Sequence, residues 1–255
     1  MTVPILWHIE ISHYSEKARW ALDYKQLDYE RRAPPPGLHM GYALWISHGR
    51  SPTLPIMRLD GKIIPDSTAI IAALEGRFPE RPLYPTDPAE RTRAIALEDA
   101  FDRQLGPAIR RLVWSELRRD EEALTTITGN AAPGLRRLLA GAPLSYERLL
   151  RVGTGIRYGA ASKHSTERAQ SVVRSALDHL ESELAGRDYL VGERFTVADL
   201  TAAALFYPLV LPPGSPHVVD RVPPALQAFQ AELADRPGCR WIERIYAEHR
   251  QGSDS

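Results

Sequence analysis

Apolar and polar positions follow two different patterns along this chain, and the change falls near residue 80. Residues 4–9 form a short apolar run of strand length, and residues 28–33 alternate as a half-buried strand does. Between them, residues 15–25 place small and apolar side chains at helical spacing. The pattern predicts a β-α-β unit at the start of the chain.

A hairpin and a helix are predicted next. Residues 55–59 and 62–65 have the composition of short strands, and the dipeptide Asp60-Gly61 between them is typical of tight hairpin turns. A helical pattern then runs over residues 67–78. With a loop or a short helix between the two units, the predicted order of elements is βαβ-ββα.

The pattern beyond residue 90 is helical almost throughout. Residues 165–186 and 196–210 are two of the long helical stretches, and another begins near residue 89. Gly106 and Pro107 lie inside that earlier stretch, where the missing proline N–H favours a kink. We therefore expect at least one interrupted helix in this part of the chain.

The two patterns divide the chain into domains. We expect a mixed α/β domain over residues 1–80 and an all-helical domain over residues 91–255. Residues 81–90 between them are rich in proline, which is typical of a linker. The predicted fold class is α/β plus all-α.

The composition is that of a globular protein: 44% of its 255 residues are hydrophobic, and 32 basic residues balance 32 acidic ones. Because the formal net charge is zero, we expect the protein to bind neither nucleic acid nor an acidic membrane. The longest apolar run, residues 200–211, is too short to span a bilayer and contains Pro208. We do not recognise the basic region followed by an apolar region that is typical of a secretory signal. The single cysteine, Cys239, fits a reducing compartment. We expect a cytoplasmic protein.

Candidate chemistry lies in the segment SHYSEK, residues 12–17, where the first strand gives way to the first helix. Ser12 and Ser15 place two hydroxyls three residues apart there. A helix N-terminus offers unpaired amides and a partial positive charge, which stabilise an anion. A serine at this position is also a common N-cap. The residues alone leave capping and function equally open for Ser12, whereas we expect Ser15 to be mainly a cap.

This segment resembles the active-site segment of the serine- and cysteine-type glutathione S-transferases. In them a Ser or Cys precedes the first helix and a basic residue follows five positions later, here Ser12 and Lys17. The resemblance implies a thioredoxin-like N-terminal domain and a Ser12 hydroxyl that stabilises the thiolate of glutathione. Lowering a thiol pKa from about 8.5 by about two units requires roughly 2.7 kcal/mol, which one charge-assisted hydrogen bond and the helix dipole can supply.

A second resemblance implies where glutathione binds. Leu54-Pro55 stands where the family has a cis-proline whose preceding backbone pairs with the cysteinyl residue of glutathione. Asp66-Ser67 stands where an acidic-Ser or Gln-Ser pair holds the γ-glutamyl end, although Glu or Gln is commoner than Asp. Either residue is also a possible helix cap. The resemblance places His39 at the glycine end of glutathione.

The helical part carries a third resemblance. Thr196 and Asp199 form a capping-box-like pair, and Phe195 is placed to staple against Leu200, as in the folding motif of the family. We interpret this motif as structural. The motif supports the resemblance to the family but does not indicate which reaction is catalysed.

The resemblance also implies an electrophile-binding cleft between the domains. Its candidate residues are Tyr14, Arg110 and Trp114, the last two by their position in the helix after the linker. Residues 120–164 are longer than the usual link between the corresponding helices. They are either a lid over this cleft or a solvated insertion.

We therefore expect a homodimeric glutathione transferase that acts on a small hydrophobic electrophile, with glutathione as co-substrate. A metal site is not expected, because His8, His13 and His39 lack metal-ligand spacing. A non-catalytic glutathione- or ligand-binding protein of the same fold is the alternative. Thiol–disulfide exchange is disfavoured, since Ser12 and Ser15 carry no sulfur to form a mixed disulfide.

Overall fold

The structure is a computed structural model that describes residues 2–34, 38–128, 146–158, 162–215 and 221–250. Its first part contains β1 (Ile5–Trp7), α1 (His13–Tyr24), β2 (Glu30–Arg32), α2 (His39–Ile46), β3 (Ile56–Leu59), β4 (Lys62–Pro65) and α3 (Ser67–Arg77). The strand order in the sheet is β2-β1-β3-β4, with β1 parallel to β2 and the other pairs antiparallel. This is the predicted βαβ-ββα order.

The second part is helical where it is described. It contains α4 (Pro88–Ala100), a π-helical turn (Phe101–Leu105), α5 (Gly106–Leu117), α6 (Glu121–Thr128), α7 (Tyr146–Tyr158), α8 (Lys163–Leu184), α9 (Val197–Val210), α10 (Pro224–Leu233) and α11 (Pro237–His249). The predicted fold class, a thioredoxin-like sheet domain followed by helices, is confirmed. Among the described helices, none is both long enough and apolar enough to cross a membrane.

The sheet separates two hydrophobic clusters, because alternate residues of a strand face opposite sides. Leu6 and Met57 are fully buried in the large cluster that α1, α3 and the helical domain share. Trp7 and Ile56 belong to a smaller cluster beneath α2. The helical domain therefore covers one face of the sheet, and α2 covers part of the other.

Helix α9 lies at the centre of the large cluster. It packs against α1, α4, α5 and α11, and nearly every one of its side chains is buried. This explains the long apolar run of the sequence. The predicted capping box at its start is confirmed: Asp199 accepts hydrogen bonds from the Thr196 amide at 2.8 Å and the Thr196 hydroxyl at 2.9 Å. Asp199 also accepts from the Leu190 amide at 2.8 Å, so it joins the preceding loop to the helix.

We predict that Asp199→Ala lowers the free energy of unfolding by about 2–4 kcal/mol, because it removes a cap and leaves two buried amides without an acceptor. Asp87 caps α4 at an exposed position and is the matched control. Asp87→Ala should cost less than half as much in a denaturant titration. Equal costs for the two variants would contradict this interpretation.

The linker is held by Lys25 from the end of α1. Its buried ammonium pairs with Glu75 at 2.8 Å and donates to the carbonyls of Phe78, Glu80 and Arg81 at 2.8, 3.3 and 3.3 Å. These contacts position the segment between α3 and α4. The predicted domain limits of 1–80, 81–90 and 91–255 remain a prediction.

The irregularity in the long helix differs from the predicted kink at Gly106-Pro107. It is a π-helical turn that ends one residue before Gly106, whose amide donates to the carbonyl of Phe101. The carbonyl of Asp102 therefore loses its usual donor four residues later, and Pro107 has no N–H to replace it. The Tyr14 hydroxyl donates to that carbonyl at 2.8 Å.

Gly106 is required by this contact. A Cβ at Gly106 would lie 2.0 Å from the Tyr14 hydroxyl. We predict that Gly106→Ala lowers the free energy of unfolding by about 1–3 kcal/mol through overpacking. In a Tyr14→Leu background the same change should cost much less. An equal cost in both backgrounds, measured as a double-mutant cycle, would rule out the clash as the cause.

Candidate active site

The structure gives Ser12 the capping role that the sequence predicted for Ser15. Ser12 is the N-cap of α1, and its Oγ accepts from the Ser15 amide at 3.3 Å. Ser15 is fully buried, and its Oγ accepts from the Ile9 amide at 3.1 Å. The prediction that Ser15 is the cap is wrong, because α1 begins two residues earlier than the pattern indicated. Ser12 is half-buried and is the serine that a substrate can reach.

The predicted glutathione-binding residues come together at the start of α3. The Leu54-Pro55 peptide bond is cis, and the Pro55 carbonyl accepts from the Asp66 amide at 3.2 Å. Asp66 is exposed and caps α3 by accepting from the Thr68 amide at 2.9 Å. Ser67, the first residue of α3, is buried.

Asp66 has an unusual backbone, with φ 77° and ψ 136°. A residue other than glycine at positive φ persists only where its surroundings require it, and such residues concentrate at functional sites. Here the cap and the bond to Pro55 hold it in place. The start of α3 lies near α1, since the Thr68 hydroxyl of α3 accepts a hydrogen bond from Lys17 of α1 at 2.8 Å.

His39 is the first residue of α2 and is half-buried. Burial lowers the pKa of its imidazole, and the nearby charge of Arg157 lowers it further. Arg157 belongs to α7, in the stretch predicted as either a lid or a solvated insertion. The choice between a lid and a solvated insertion stays open, and residues 129–145 and 159–161 of that stretch lie outside the described part of the chain.

The predicted electrophile-pocket residues lie where α1 meets α5. The guanidinium of Arg110 is 5.8 Å from the centre of the Tyr14 ring. Trp114 is four residues after Arg110 and therefore lies on the same face of α5. Burial raises the pKa of the Tyr14 phenol above its ordinary value, so Tyr14 is a neutral donor.

His13 is buried beside this group. Burial and the charge of Arg110 lower the pKa of its imidazole to about 3, although a hydrogen bond to the Gly106 backbone opposes the shift. His13 is therefore uncharged at neutral pH. His13 therefore supplies no positive charge to stabilise an anion at the start of α1.

Lys17 lies in a buried network between the two domains and not at an open site. Its ammonium is 2.8 Å from the Thr68 hydroxyl, 2.8 Å from Glu98 Oε1 and 2.5 Å from Asp102 Oδ2. The Thr68 hydroxyl donates to Asp102 Oδ2 at 2.7 Å. One ammonium therefore joins α1, α3, α4 and the π-helical turn.

Two carboxylates share this single ammonium. Burial raises the pKa of Glu98 and outweighs the opposing effect of Lys17, because Asp102 competes for the same charge. The Tyr84 hydroxyl donates to Glu98 Oε2 at 3.3 Å. The ammonium of Lys17 is thus paired with carboxylates inside the protein.

Sequence analysis missed this network. A signal was present, since Glu98 and Asp102 are four residues apart and so lie on one face of a helix. Lys17 also directly precedes the apolar stripe of α1, whose residues belong to the core. What could not be predicted was that both would meet Thr68, which lies 51 positions from Lys17 along the chain.

The described residues give no support to metal or disulfide chemistry. Within the described ranges there is no group of three or more side chains that could hold a metal ion. Cys239 is buried at the start of α11, and burial raises the pKa of its thiol to about 11. It remains a thiol at neutral pH and is a poor nucleophile.

Known families and structures match this arrangement. The family model for the glutathione S-transferase N-terminal domain matches residues 6–82, and that for the C-terminal domain matches residues 163–229. Together they cover more than half of the chain. The chain belongs to the glutathione S-transferase superfamily. The predicted family is thus confirmed, whereas the role of Ser12 stays a prediction.

Relatives within and around this superfamily differ in their reactions. A probable maleylacetoacetate isomerase of Caenorhabditis elegans is 32% identical over 94 residues, which are 37% of this chain and 44% of that protein. The β-etherase LigF from Sphingobium sp. strain SYK-6 matches with a TM-score of 0.63 at 20% identity, over 95% of this chain and 99% of its own. A glutathione-bound theta class transferase from Xanthomonas axonopodis pv. citri matches with a TM-score of 0.58 at 20% identity, over 94% and 96%. These structural matches establish a shared fold.

We predict that Lys17→Met strongly destabilises this glutathione S-transferase fold. Leaving two buried carboxylates without their cation should lower the free energy of unfolding by about 3–5 kcal/mol at neutral pH. The exposed residue Lys62 is the control, and Lys62→Met should have almost no effect.

The cost of Lys17→Met should depend on pH. The folded-state pKa of Glu98 is already raised above its ordinary value and would rise further without Lys17. A carboxyl of this kind favours the folded state below its unfolded pKa, and that contribution is lost as pH rises through the folded pKa. The variant should therefore be less destabilised at pH 5 than at pH 8. A cost that is constant over this range would contradict the assignment.

Proposed function

We propose that this chain is a glutathione transferase in which the Ser12 hydroxyl donates a hydrogen bond to the glutathione thiolate. The observation that carries the proposal is the difference between the two serines. Ser12 Oγ accepts from an amide of its own helix, so its hydrogen remains to be donated elsewhere, and the residue is half-buried. Ser15 is fully buried and bound to Ile9.

In this proposal, thiolate stabilisation comes from hydrogen-bond donors and the dipole of α1. His13 is neutral because its pKa is about 3. The charge of Lys17 is offset by Glu98 and Asp102. The hydroxyl of Ser12 and the first amides of α1 are then the groups suited to hold a thiolate.

The rest of glutathione is assigned from the family resemblance and the local chemistry. The Leu54 backbone, which precedes cis-Pro55, is proposed to pair with the cysteinyl residue. Ser67, at the N-terminus of α3, suits the γ-glutamyl carboxylate, and the exposed Asp66 suits the ammonium. His39 is proposed for the glycine end.

The acceptor substrate is proposed to be a small hydrophobic electrophile in the cleft of Tyr14, Arg110 and Trp114. The Tyr14 hydroxyl is already donated to the Asp102 carbonyl, so Tyr14 contributes its aromatic ring, and the guanidinium of Arg110 lies 5.8 Å from the centre of that ring. A homodimer is proposed because the family resemblance implies it. The thiolate attacks the electrophile, the leaving group departs with its electron pair, and the thioether of glutathione is released.

A second candidate reaction is a glutathione-dependent isomerisation. The match to a probable maleylacetoacetate isomerase, at 32% identity over 94 residues, favours including it. The same activated thiolate would add reversibly to a cis double bond. Turnover of maleylacetoacetate with catalytic amounts of glutathione would select this reaction over conjugation, which consumes glutathione.

The test is glutathione conjugation to 1-chloro-2,4-dinitrobenzene as a function of pH. We expect Ser12→Ala to lower kcat/KM at pH 6.5 by roughly 10- to 100-fold and to raise the apparent pKa of the bound thiol by about one to two units. Because Ser12 also caps α1, the variant should lose about 1 kcal/mol of stability, which a denaturant titration measures separately. Ser12→Thr keeps a hydroxyl and a cap, and should restore most of the activity.

Other outcomes would redirect the proposal. Equal activity of wild type and Ser12→Ala would leave Ser12 as a cap alone. If neither protein turns over, a calorimetric titration with glutathione decides between the remaining cases. Binding without turnover would favour the non-catalytic alternative, and absence of binding would remove glutathione from the proposal.

A further inference from the structure

A short turn carries the chain from β1 to Ser12 at the start of α1. The Ser12 amide donates to the Ile9 carbonyl at 3.0 Å, and the Ile9 amide donates to the Ser15 hydroxyl at 3.1 Å. We call residues 9–12 the α1 turn. These residues are half-buried or exposed, and they lie outside the regular strand and helix. The position of the Ser12 hydroxyl therefore depends on the contacts that hold this turn.

The guanidinium of Arg19 holds the α1 turn from inside the protein. Arg19 lies on α1, seven residues after Ser12, and is fully buried. Its Nη2 donates to the Glu10 carbonyl at 3.0 Å, and its Nη1 donates to the Ile9 carbonyl at 3.4 Å. Nη1 also donates to His8 Nδ1 at 2.8 Å, since a guanidinium has no acceptor. One side chain thus binds three successive residues where the chain leaves β1.

The charge of Arg19 is balanced by Glu16, one helical turn earlier. Nε and Nη2 of Arg19 are both 3.0 Å from Glu16 Oε2. The planar fork of the guanidinium therefore meets the carboxylate along one edge and the α1 turn with its remaining N–H groups. A lysine ammonium could pair with Glu16, but a single point charge has no fork with which to hold two carbonyls as well. The geometry thus requires an arginine and not only a cation.

Arg250 offers a comparison within the same network, because it is a second buried arginine on the same carboxylate. Its Nε donates to Glu16 Oε1 at 2.6 Å, and its Nη1 donates to Asp23 Oδ2 at 2.8 Å. These contacts fasten the end of α11 to α1 and involve no residue of the α1 turn. When either arginine is replaced, Glu16 keeps the other, so neither substitution leaves this carboxylate buried without a cation.

We propose that Arg19 is a positioning residue of the thiol site, which fixes the α1 turn so that the Ser12 hydroxyl meets the sulfur of glutathione. The inference rests on the proposed role of Ser12. Arg19 does not touch the ligand, because it is fully buried, and it acts through the carbonyls of Ile9 and Glu10. A catalytic group has to be held within about 0.5 Å of its productive position, and buried supporting contacts achieve this.

The test compares Arg19→Lys and Arg19→Gln with the wild-type chain in conjugation of glutathione to 1-chloro-2,4-dinitrobenzene. We expect each variant to lower kcat at pH 6.5 by about five- to tenfold and to raise the apparent pKa of the bound thiol by about 0.7 to 1 unit. The KM for glutathione should change by less than about twofold, because the groups proposed to bind the peptide at α3 are untouched. Lysine should not restore activity, since it lacks the fork.

Arg250→Lys is the matched control. It should lower the midpoint of a denaturant titration, as the Arg19 variants do, because it also disturbs the buried ionic network. It should leave kcat and the apparent pKa of the thiol unchanged. An equal shift of the thiol pKa in Arg250→Lys would overturn the proposal, because general loosening of α1 would then explain the effect. Wild-type kcat and thiol pKa in both Arg19 variants would overturn it too.

Arg19 acts through Ser12 in this proposal, so the effects of the two residues should not add. In a Ser12→Ala background, Arg19→Lys should change the thiol pKa little further, and additive shifts would contradict the proposal. If Ser12→Ala alone changes nothing, the proposed function fails, and amide hydrogen exchange of Ile9 and Ser12 tests Arg19 separately. That exchange should be about tenfold faster in Arg19→Lys and unchanged in Arg250→Lys. Equal exchange in wild type and Arg19→Lys would show that Arg19 does not hold the turn.

Discussion

One buried ammonium connects the parts of this protein on which its proposed chemistry depends. Lys17 is fully buried, so its ammonium has lost its water shell. Contacts with Thr68, Glu98 and Asp102, which belong to three different elements, replace that water. A shift of either domain would leave a charge buried without a partner. The N-termini of α1 and α3 are therefore held in one arrangement against the helical domain, and Ser12 and Ser67 lie at those two termini.

The opposite face of α1 is fixed by a second buried ionic network. Glu16 pairs with Arg19 at 3.0 Å and with Arg250 at 2.6 Å, so the end of α11 is fastened to the first helix. Arg19 also contacts His8 at 2.8 Å, and burial together with this charge lowers the pKa of that imidazole to about 3. Between these two networks α1 has little freedom to move. Its N-terminus is thus pre-organised before any ligand binds.

The same networks bear on the chemistry that we propose for this site. Lys17 pairs with Glu98 and Asp102, and burial and the charge of Arg110 lower the pKa of the His13 imidazole to about 3. In the proposed function, the Ser12 hydroxyl and the first amides of α1 therefore stabilise the thiolate.

Local pattern was sufficient for the elements, their order and the capping box, because each depends on residues a few positions apart. Local pattern drew attention to Ser12, and the resemblance to the family added Leu54-Pro55 and Asp66-Ser67 as candidates. It failed to assign the cap of α1, since the choice between Ser12 and Ser15 depends on where the chain turns at Ile9. Nor could it show that Lys17 would be buried or that Tyr14 would bond to a carbonyl freed by a π-helical turn. Those contacts join residues 51 to 88 positions apart. They exist because α1 packs against α3 and against α9, on which α5 also packs, and packing between distant segments is not encoded in the spacing of neighbours.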